Sequence, residues 1–213
     1  MGGRGATSPK GNREFSAGEK EAIEYYVSGD GMFLNNHLQK RDGADKIPLD
    51  SYDKEAIKNL DSATDRPIGK KTLYRSVDAQ AIFGNMTDSE FDDLQSLLMN
   101  GEIAMTNEAK QNAKNKIDNA LGKTITNKGY MSTTSKYEVA RDWGGFSGSN
   151  KPIVLEIKTS SKTKGADVSY TDKNVSKEDA QHENLLKRNQ KYKVKNISSK
   201  DGNIYVKVEM KGI

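Results

Sequence analysis

The spacing of apolar residues changes along this chain, from helical spacing in the first half to strand-like alternation in the second. Ser16, followed three residues later by Glu19, forms the pattern of a capping box and predicts the start of a first helix. This helix is expected to end at the Gly29 to Gly31 turn. The same helical spacing predicts further helices at about 33–38, 52–62, 88–99 and 106–119.

Strand patterns begin at residues 72–77 and dominate from residue 125 onward. They predict strands at 129–132, 153–157, 183–187, 192–197 and 204–208. The stretch from 157 to 181 has no apolar periodicity, so we expect a long irregular loop, and such loops are usually functional. The predicted fold class is α+β, with N-terminal helices packed on a mixed, largely antiparallel β-core. Residues 1–14 are expected to form a flexible arm, and residues 15–213 a single domain.

Composition restricts the available chemistry. With no cysteine and only two histidines, the chain has no disulfide and no thiol nucleophile, and we expect no metal site. The 34 basic and 30 acidic residues give a net charge of +4, and because lysines are spread over the whole length we expect no dedicated nucleic-acid stripe. The N-terminus has no apolar run, which argues against a signal peptide or membrane span and favours a cytosolic start. We expect a monomer.

Gln181 and Glu183 lie at the start of a predicted strand. Alternation places residues two apart on one face, about 6.6 Å from each other, so a carboxylate and a neutral amide would share a cleft. Arg75, on an earlier strand, has the forked donors that fit a pyrophosphate, although an arginine there could equally be solvated. Together with the hydroxyl cluster near residue 132, these side chains would suit NAD.

The run Ser132, Thr133 and Thr134 has two interpretations. Threonine is common in strands because β-branching suits the pleat. The functional interpretation is that Ser132 fixes the orientation of a neighbouring carboxylate. Phe146, between glycines, is either part of the core or a platform for nicotinamide. Glu183 is a single carboxylate, whereas glycoside hydrolysis generally uses two, so the chain does not fit a carbohydrate-cleaving enzyme.

The ordered set of an arginine strand, a Ser-Thr-Thr strand and a Gln-x-Glu segment resembles the toxin-type mono-ADP-ribosyltransferases. The resemblance extends to Rho-modifying clostridial exoenzymes and to phage head-associated members, and it covers the chain from about residue 22 to residue 208. The helical entry that contains Tyr26 and Asn35 is also similar to that of this family. The position where the family usually has a phosphate-binding arginine is Gln39, followed by Lys40 and Arg41.

The resemblance implies the ADP-ribosyltransferase fold and an enzyme that cleaves the nicotinamide–ribose bond of NAD without a metal. It assigns catalysis to Glu183, Gln181 and Ser132. Glu183 would stabilise the positive charge that builds up on the ribose. It implies that NAD is bound by Arg75, Thr133, Thr134, Phe146, Tyr26 and Asn35.

In this family the residue two positions before the glutamate correlates with the type of acceptor. Because that residue is Gln181 here, the resemblance implies that the acceptor is asparagine or guanine rather than arginine. A neutral amide can pair with another amide or a base edge. The acceptor would be an unknown protein or nucleic acid, and the enzyme a bacterial or phage-encoded effector delivered by a non-classical route. Two alternatives remain: an NAD glycohydrolase that uses water, and a non-catalytic binding or structural module.

Overall fold

The computed structural model of the chain describes residues 14–41, 43–101, 105–143, 151–174 and 182–211. Most of its helices precede most of its strands, as the sequence predicts. The helices are α1 (Ala17–Tyr25), α2 (Gly31–Gln39), α3 (Ser51–Ala63), α4 (Gln80–Phe83), α5 (Asp88–Asn100), α6 (Asn107–Ala120) and α7 (Tyr137–Trp143). Two short 3-10 turns occupy Ala44–Lys46 and Ser169–Asn174. None of the helices in the described ranges combines the length and the apolar character needed to cross a membrane.

Side-chain caps explain where the helices begin. The predicted capping box is confirmed at α1, where Ser16 accepts from the backbone N–H of Glu19 and the Glu19 carboxylate accepts from the N–H of Ser16. Thr87 and Glu90 form the same arrangement at α5. These caps satisfy backbone N–H groups that have no partner within the first helical turn.

The connection between α1 and α2 differs from the predicted turn. A π-helical turn, Tyr26–Asp30, continues directly from α1, and the kink lies at Gly29, which has a positive φ of 113°. A side chain at Gly31 would overlap the backbone carbonyl and the ring of Tyr26. Glycine at this position therefore lets α2 start directly against Tyr26.

Eight strands form one sheet. Their bounds are β1 (Thr72–Asp78), β2 (Thr124–Thr126), β3 (Met131–Thr134), β4 (Pro152–Lys158), β5 (Gly165–Asp167), β6 (Glu183–Leu186), β7 (Lys191–Lys200) and β8 (Asn203–Met210). The order across the sheet is β2-β7-β8-β4-β1-β3-β6-β5. Every neighbouring pair is antiparallel except β4 and β8, which are parallel, so the mixed, largely antiparallel sheet is confirmed.

The expectation of one irregular loop from 157 to 181 was wrong in part. This stretch contains β5, which pairs with β6, and the 3-10 turn Ser169–Asn174. Glycine is required at position 165 because a Cβ there would lie only 2.7 Å from the backbone oxygen of Leu185 on the paired strand β6. Such a short, polar strand has too few residues for its alternation to be recognised in the sequence.

Three apolar clusters hold the helices to the sheet. The largest packs α4, α5 and α6 against one face of the strands, around Leu73, Leu155 and Val206. A second joins α1, α2 and α3 to the region of Tyr130 and Leu185. The third lies on the other sheet face, where α7 covers Tyr74, Val154 and Tyr205. A cleft lies between α2 and the strands β1 and β3.

Candidate active site

Arg75 lies in the middle of β1, on the same face as Leu73 and Val77, because residues two apart in a strand share a face. It is only partly exposed, and its Nη1 donates a hydrogen bond to the backbone oxygen of Ser132 at 3.0 Å. Tyr74 and Thr134 are the residue pair that joins β1 to β3. The strands diverge beside this pair, and Arg75 bridges the gap at the edge of the cleft.

Three neighbouring strands bring together the residues that the sequence separates most widely. Arg75 is on β1, Ser132 on β3 and Glu183 on β6, and β3 lies between the other two strands in the sheet. Glu183 is the first residue of β6, is 7% exposed and lies opposite Thr134 in the strand register. The guanidinium of Arg75 and the buried carboxylate of Glu183 therefore belong to the two strands that flank β3.

The alternation argument that put Gln181 and Glu183 on one face does not hold. β6 begins at Glu183, and His182 has a positive φ of 48°, so regular strand geometry does not reach residue 181. Gln181 itself lies outside the described residues, as does Phe146. The polar run before residue 183 gave no indication of this left-handed residue.

Tyr26 is buried at the centre of this group of side chains. Burial raises the pKa of its phenol, and the negative charge of Glu183 adds to this increase. The positive charge of Arg75 and the polar side chains of Ser132 and Asn35 lower the pKa. Each of these four residues therefore lies near the phenol. With burial dominant, the Tyr26 hydroxyl is neutral at pH 7 and acts as a hydrogen-bonding group.

Asn35 uses its amide to hold the protein backbone. Its Oδ1 accepts from the N–H of Tyr130 at 2.8 Å, and its Nδ2 donates to the carbonyl of Tyr130 at 3.1 Å and to the hydroxyl of Tyr26. A Cβ at Gly129 would lie 2.5 Å from Asn35 Oδ1. The missing side chain at Gly129 lets α2 come close enough to β3 for Asn35 to bond both backbone groups of Tyr130.

Thr133 and Thr134 are fully buried and do not line the cleft. The Thr133 hydroxyl donates to the backbone oxygen of Asn184 at 2.7 Å, tying β3 to β6. The Thr134 hydroxyl accepts from the N–H of Lys136 at 3.0 Å, just before α7. The structure therefore shows both hydroxyls bonded to backbone groups, and the assignment of these threonines to NAD stays a prediction.

The cleft has a volume of about 540 Å³ and lies between α2 and the ends of β1 and β3. Arg75, Ser132, Tyr26 and Asn35 all line it. Lining residues that the sequence did not single out include Met32, Asn127 and Tyr192.

Arg41 also lines the cleft, just beyond the end of α2. Lys40, in the left-handed region at a φ of 57°, turns the chain there. The backbone of Arg41 is held by hydrogen bonds to Asn36 and Ala44. Burial raises the pKa of Tyr192 to about 12, and the charges of Arg75 and Arg41 both act to lower it. Two guanidinium groups therefore lie near the Tyr192 ring in one cleft.

The arrangement suits an anionic ligand more than a metal. Within the described ranges, no group of three or more histidine, aspartate or glutamate side chains could hold a metal ion. The cleft instead offers two guanidinium groups and a neutral phenol, and the buried carboxylate of Glu183 lies near that phenol without lining the cleft. Such a site can clamp a pyrophosphate with its cations, and a carboxylate near its phenol can stabilise a developing positive charge.

A helical layer on a mixed sheet, with an arginine, a serine and a glutamate on three adjacent strands, defines the class of toxin-type ADP-ribosyltransferases. A sequence model of that class, described as ADP-ribosyltransferase exoenzyme, matches residues 6–213. The chain belongs to this family. It is a mono-ADP-ribosyltransferase, and NAD is its co-substrate. No curated protein sequence matches the chain.

Solved structures show the same fold. The ADP-ribosylating toxin BECa of C. perfringens, solved with NADH, is 22% identical with a TM-score of 0.65, over 93% of this chain and 44% of that one. C3stau2 from S. aureus, solved with NAD, is 22% identical with a TM-score of 0.64, over 94% of this chain and 89% of that one. An ADP-ribosyltransferase from Clostridium botulinum is 22% identical with a TM-score of 0.61, over 92% of this chain and 87% of that one.

Proposed function

We propose that the cleft between α2, β1 and β3 binds NAD with its pyrophosphate on Arg75 and its nicotinamide ribose beside Glu183. The observation that carries this proposal is the placement of Arg75, Ser132 and Glu183 on the adjacent strands β1, β3 and β6. One of the guanidinium nitrogens of Arg75 is engaged by Ser132, and the fork retains further N–H donors for a phosphate.

Arg41 supplies the second phosphate contact in this proposal. Gln39 stands where relatives of this type usually have an arginine, and its amide carries no charge. Arg41 lies two residues later, is exposed, and lines the same cleft as Arg75. The turn at Lys40 brings it back to the cleft after α2 has ended. A pyrophosphate between Arg75 and Arg41 would have one cation for each of its two negative charges.

The reaction breaks the bond between ribose C1′ and the nicotinamide nitrogen. The bonding electrons stay on that nitrogen, so nicotinamide leaves as a neutral molecule and positive charge develops on the ribose. The Glu183 carboxylate stabilises this charge more than it stabilises bound NAD, which lowers the barrier. The acceptor then bonds to C1′ and loses a proton. Because Glu183 is buried, its charge acts with little screening by water.

Ser132 and Tyr26 position this site. The Ser132 carbonyl accepts from Arg75, and its hydroxyl lies near the phenol of Tyr26, which also lies near Glu183. Thr133 and Thr134 support β6 and α7 through backbone hydrogen bonds. Asn35 holds the backbone of Tyr130 and so acts on NAD binding through the shape of the cleft.

The acceptor in this proposal is asparagine on a protein or guanine in a nucleic acid. Its basis is Gln181, whose neutral amide pairs with an amide or a base edge better than with a guanidinium. Water as acceptor, which would make the protein an NAD glycohydrolase, is the second candidate because the cleft is open to solvent. A non-catalytic module is the third.

Mass spectrometry of the products separates these candidates. The protein is incubated with NAD and, in parallel, with a protein extract, with RNA, with DNA or with buffer alone. ADP-ribose on an asparagine or a guanine supports the proposal, and transfer to arginine contradicts the role given to Gln181. Free ADP-ribose in every incubation, with no labelled macromolecule, identifies a glycohydrolase. NAD binding without release of nicotinamide would identify a non-catalytic module.

A further inference from the structure

Five lysines lie on one uncovered part of the sheet, on the face opposite the largest apolar cluster. We call this surface the lysine face; it consists of Lys158 on β4, Lys191, Lys193 and Lys195 on β7, and Lys207 on β8. The residues that alternate with them point into the core, among them Ile157, Tyr192, Val194 and Val208. Lys158, Lys191 and Lys195 are exposed, and the other two are partly exposed.

The strand register places these lysines in adjacent rows. Lys193 lies opposite Glu209, which lies opposite Lys158 on the other side. Neighbouring strands are about 4.8 Å apart and alternate residues about 6.6 Å apart, so the lysine face measures about 13 Å along β7 and about 10 Å across the strands. The sequence did not predict this surface, because β4 and β7 are separated by more than thirty residues and meet only through β8.

The lysine face holds much of the excess charge of the protein. Two acidic residues share it: Glu209 pairs with Lys195 at 3.1 Å, and Glu156 lies 3.8 Å from Lys207. Glu156 is buried and also accepts from the hydroxyl of Tyr205. Five positive charges against two negative ones leave an excess of three on this patch, compared with +4 for the whole chain. Lys158, Lys191 and Lys193 form no ion pair within the described part of the chain.

The chemistry of the lysine face favours a linear polyanion. Five ammonium groups spread over a flat surface match repeated phosphates, and no buried donor encloses a single small anion. Tyr74 and Tyr205, which share this sheet face, lie beneath α7, so neither offers a ring to stack on an unpaired base. The exposed large apolar side chains, Met32, Ile47, Tyr52 and Leu121, lie outside these three strands, which argues against insertion into a lipid surface.

We propose that the lysine face binds duplex nucleic acid through its phosphates, without reading base sequence. Lysines that contact phosphates position a protein on a duplex but carry no sequence information. Because the lysine face lies on the sheet surface opposite Arg75, this binding is separate from NAD binding in the cleft. It would keep the enzyme close to nucleic acid, whatever the acceptor proves to be.

Binding of a short fluorescent DNA duplex to the full chain, followed by anisotropy, tests the proposal. We expect binding at about 50 mM salt that weakens steeply towards about 200 mM, with a slope of log K against log salt of about −3 or steeper. The triple variant Lys191→Gln, Lys193→Gln, Lys195→Gln should bind at least about tenfold more weakly, and its salt slope should be shallower by about 2 to 3.

The control is a second triple variant with the same change in charge, Lys20→Gln, Lys54→Gln, Lys58→Gln, on α1 and α3. It should bind the duplex within about twofold of the unmodified protein. Equal losses in the two triple variants would show that only net charge matters and would overturn the proposal. Binding to phosphatidylserine vesicles but not to the duplex would also overturn it, in favour of a membrane surface.

A further variant guards against loss of folding. Glu209→Gln removes a negative charge from the lysine face, so it should tighten duplex binding by a few fold; weaker or unchanged binding contradicts the proposal. Nicotinamide release from NAD, measured on the same preparations, should be equal in both triple variants and the unmodified protein. The proposed enzymatic function and the proposed nucleic-acid surface can thus fail independently.

Discussion

The guanidinium of Arg75 donates a hydrogen bond to the backbone carbonyl of Ser132, with Nη1 and the oxygen 3.0 Å apart. This bond spans the place where β1 and β3 separate, next to the pair of Tyr74 and Thr134. It fixes a long, flexible side chain at the edge of the cleft before a ligand arrives. A clamp that is already oriented loses less conformational entropy on binding than a free arginine would.

Arg75→Lys tests the forked geometry of this clamp. Lysine keeps the positive charge but cannot bond Ser132 and a phosphate in the same fixed arrangement. We expect NAD affinity, measured by isothermal titration calorimetry, to fall at least about tenfold, equivalent to about 1.4 kcal/mol. Arg141→Lys is the control, since Arg141 is exposed and pairs with Asp142. Unchanged NAD binding by Arg75→Lys would show that Arg75 does not contact the pyrophosphate.

Arg41→Gln tests the second phosphate contact. If Arg41 binds NAD in the ground state and the transition state alike, its loss should raise KM for NAD by about five- to tenfold and leave kcat unchanged. Lys40→Gln removes the same charge from the neighbouring position and should leave KM unchanged. A similar rise in KM in both variants would mean that the general field of the cleft, and not a contact by Arg41, attracts NAD.

Asn35→Ala tests how α2 is held to β3. The substitution removes the amide and leaves the buried N–H and carbonyl of Tyr130 without their partner. We expect the free energy of unfolding in urea to fall by about 2 to 4 kcal/mol. Asn115→Ala, at an exposed position of α6, should change it by no more than about 0.5 kcal/mol. A loss at Asn35 as small as that at Asn115 would contradict the structural role of this amide.

The ion pairs of Asp65 with Lys164 and Lys187 are expected to contribute to the stability of the fold. Hydrogen bonds from Lys164 and Lys187, each 2.6 Å from Asp65 Oδ1, lower its pKa from 3.8 to about 2. The folded state therefore binds this proton less readily than the unfolded state, so the contribution is present above pH 3.8 and is lost as pH falls towards 2. Because Asp65 is half exposed, the effect should be small and sensitive to salt.

The measurement is the difference in unfolding free energy between the unmodified protein and Asp65→Asn across this pH range. We expect the difference to shrink between pH 3.8 and 2 and to shrink at all pH values when salt is added. A difference that stays constant down to pH 2 would show that the lysines do not stabilise the Asp65 carboxylate.

Local patterns in the sequence predicted much of the fold. The capping box at Ser16 and Glu19 indicated where α1 begins, and helical spacing located α3, α5 and α6 to within a residue or two. Alternating apolar residues similarly predicted β1, β4 and β8. These features depend on neighbours a few residues apart, which a single sequence displays directly.

The candidate site required the tertiary structure. Adjacency of β1, β3 and β6 depends on pairs far apart in the sequence, Tyr74 with Thr134 and Thr134 with Glu183, and no local pattern encodes them. The ordered motifs supplied those residues by resemblance, but the same resemblance assigned Thr133 and Thr134 to NAD, whereas the structure buries both hydroxyls on backbone groups. The sequence showed Arg41 only as a residue that follows Gln39, which replaces the family's usual arginine. It did not predict that Arg41 lines the cleft, because this placement depends on the left-handed turn at Lys40.

Release of nicotinamide from NAD by the Glu183→Gln variant tests the central claim most directly. The substitution keeps the size of the buried side chain and removes the charge that would stabilise the ribose cation. We expect the rate to fall by at least about a hundredfold, while NAD binding and thermal stability stay close to those of the unmodified protein. Glu209→Gln, at an exposed position of β8, should release nicotinamide at the unmodified rate. Equal rates from Glu183→Gln and the unmodified protein would contradict the assignment of this cleft as the catalytic centre.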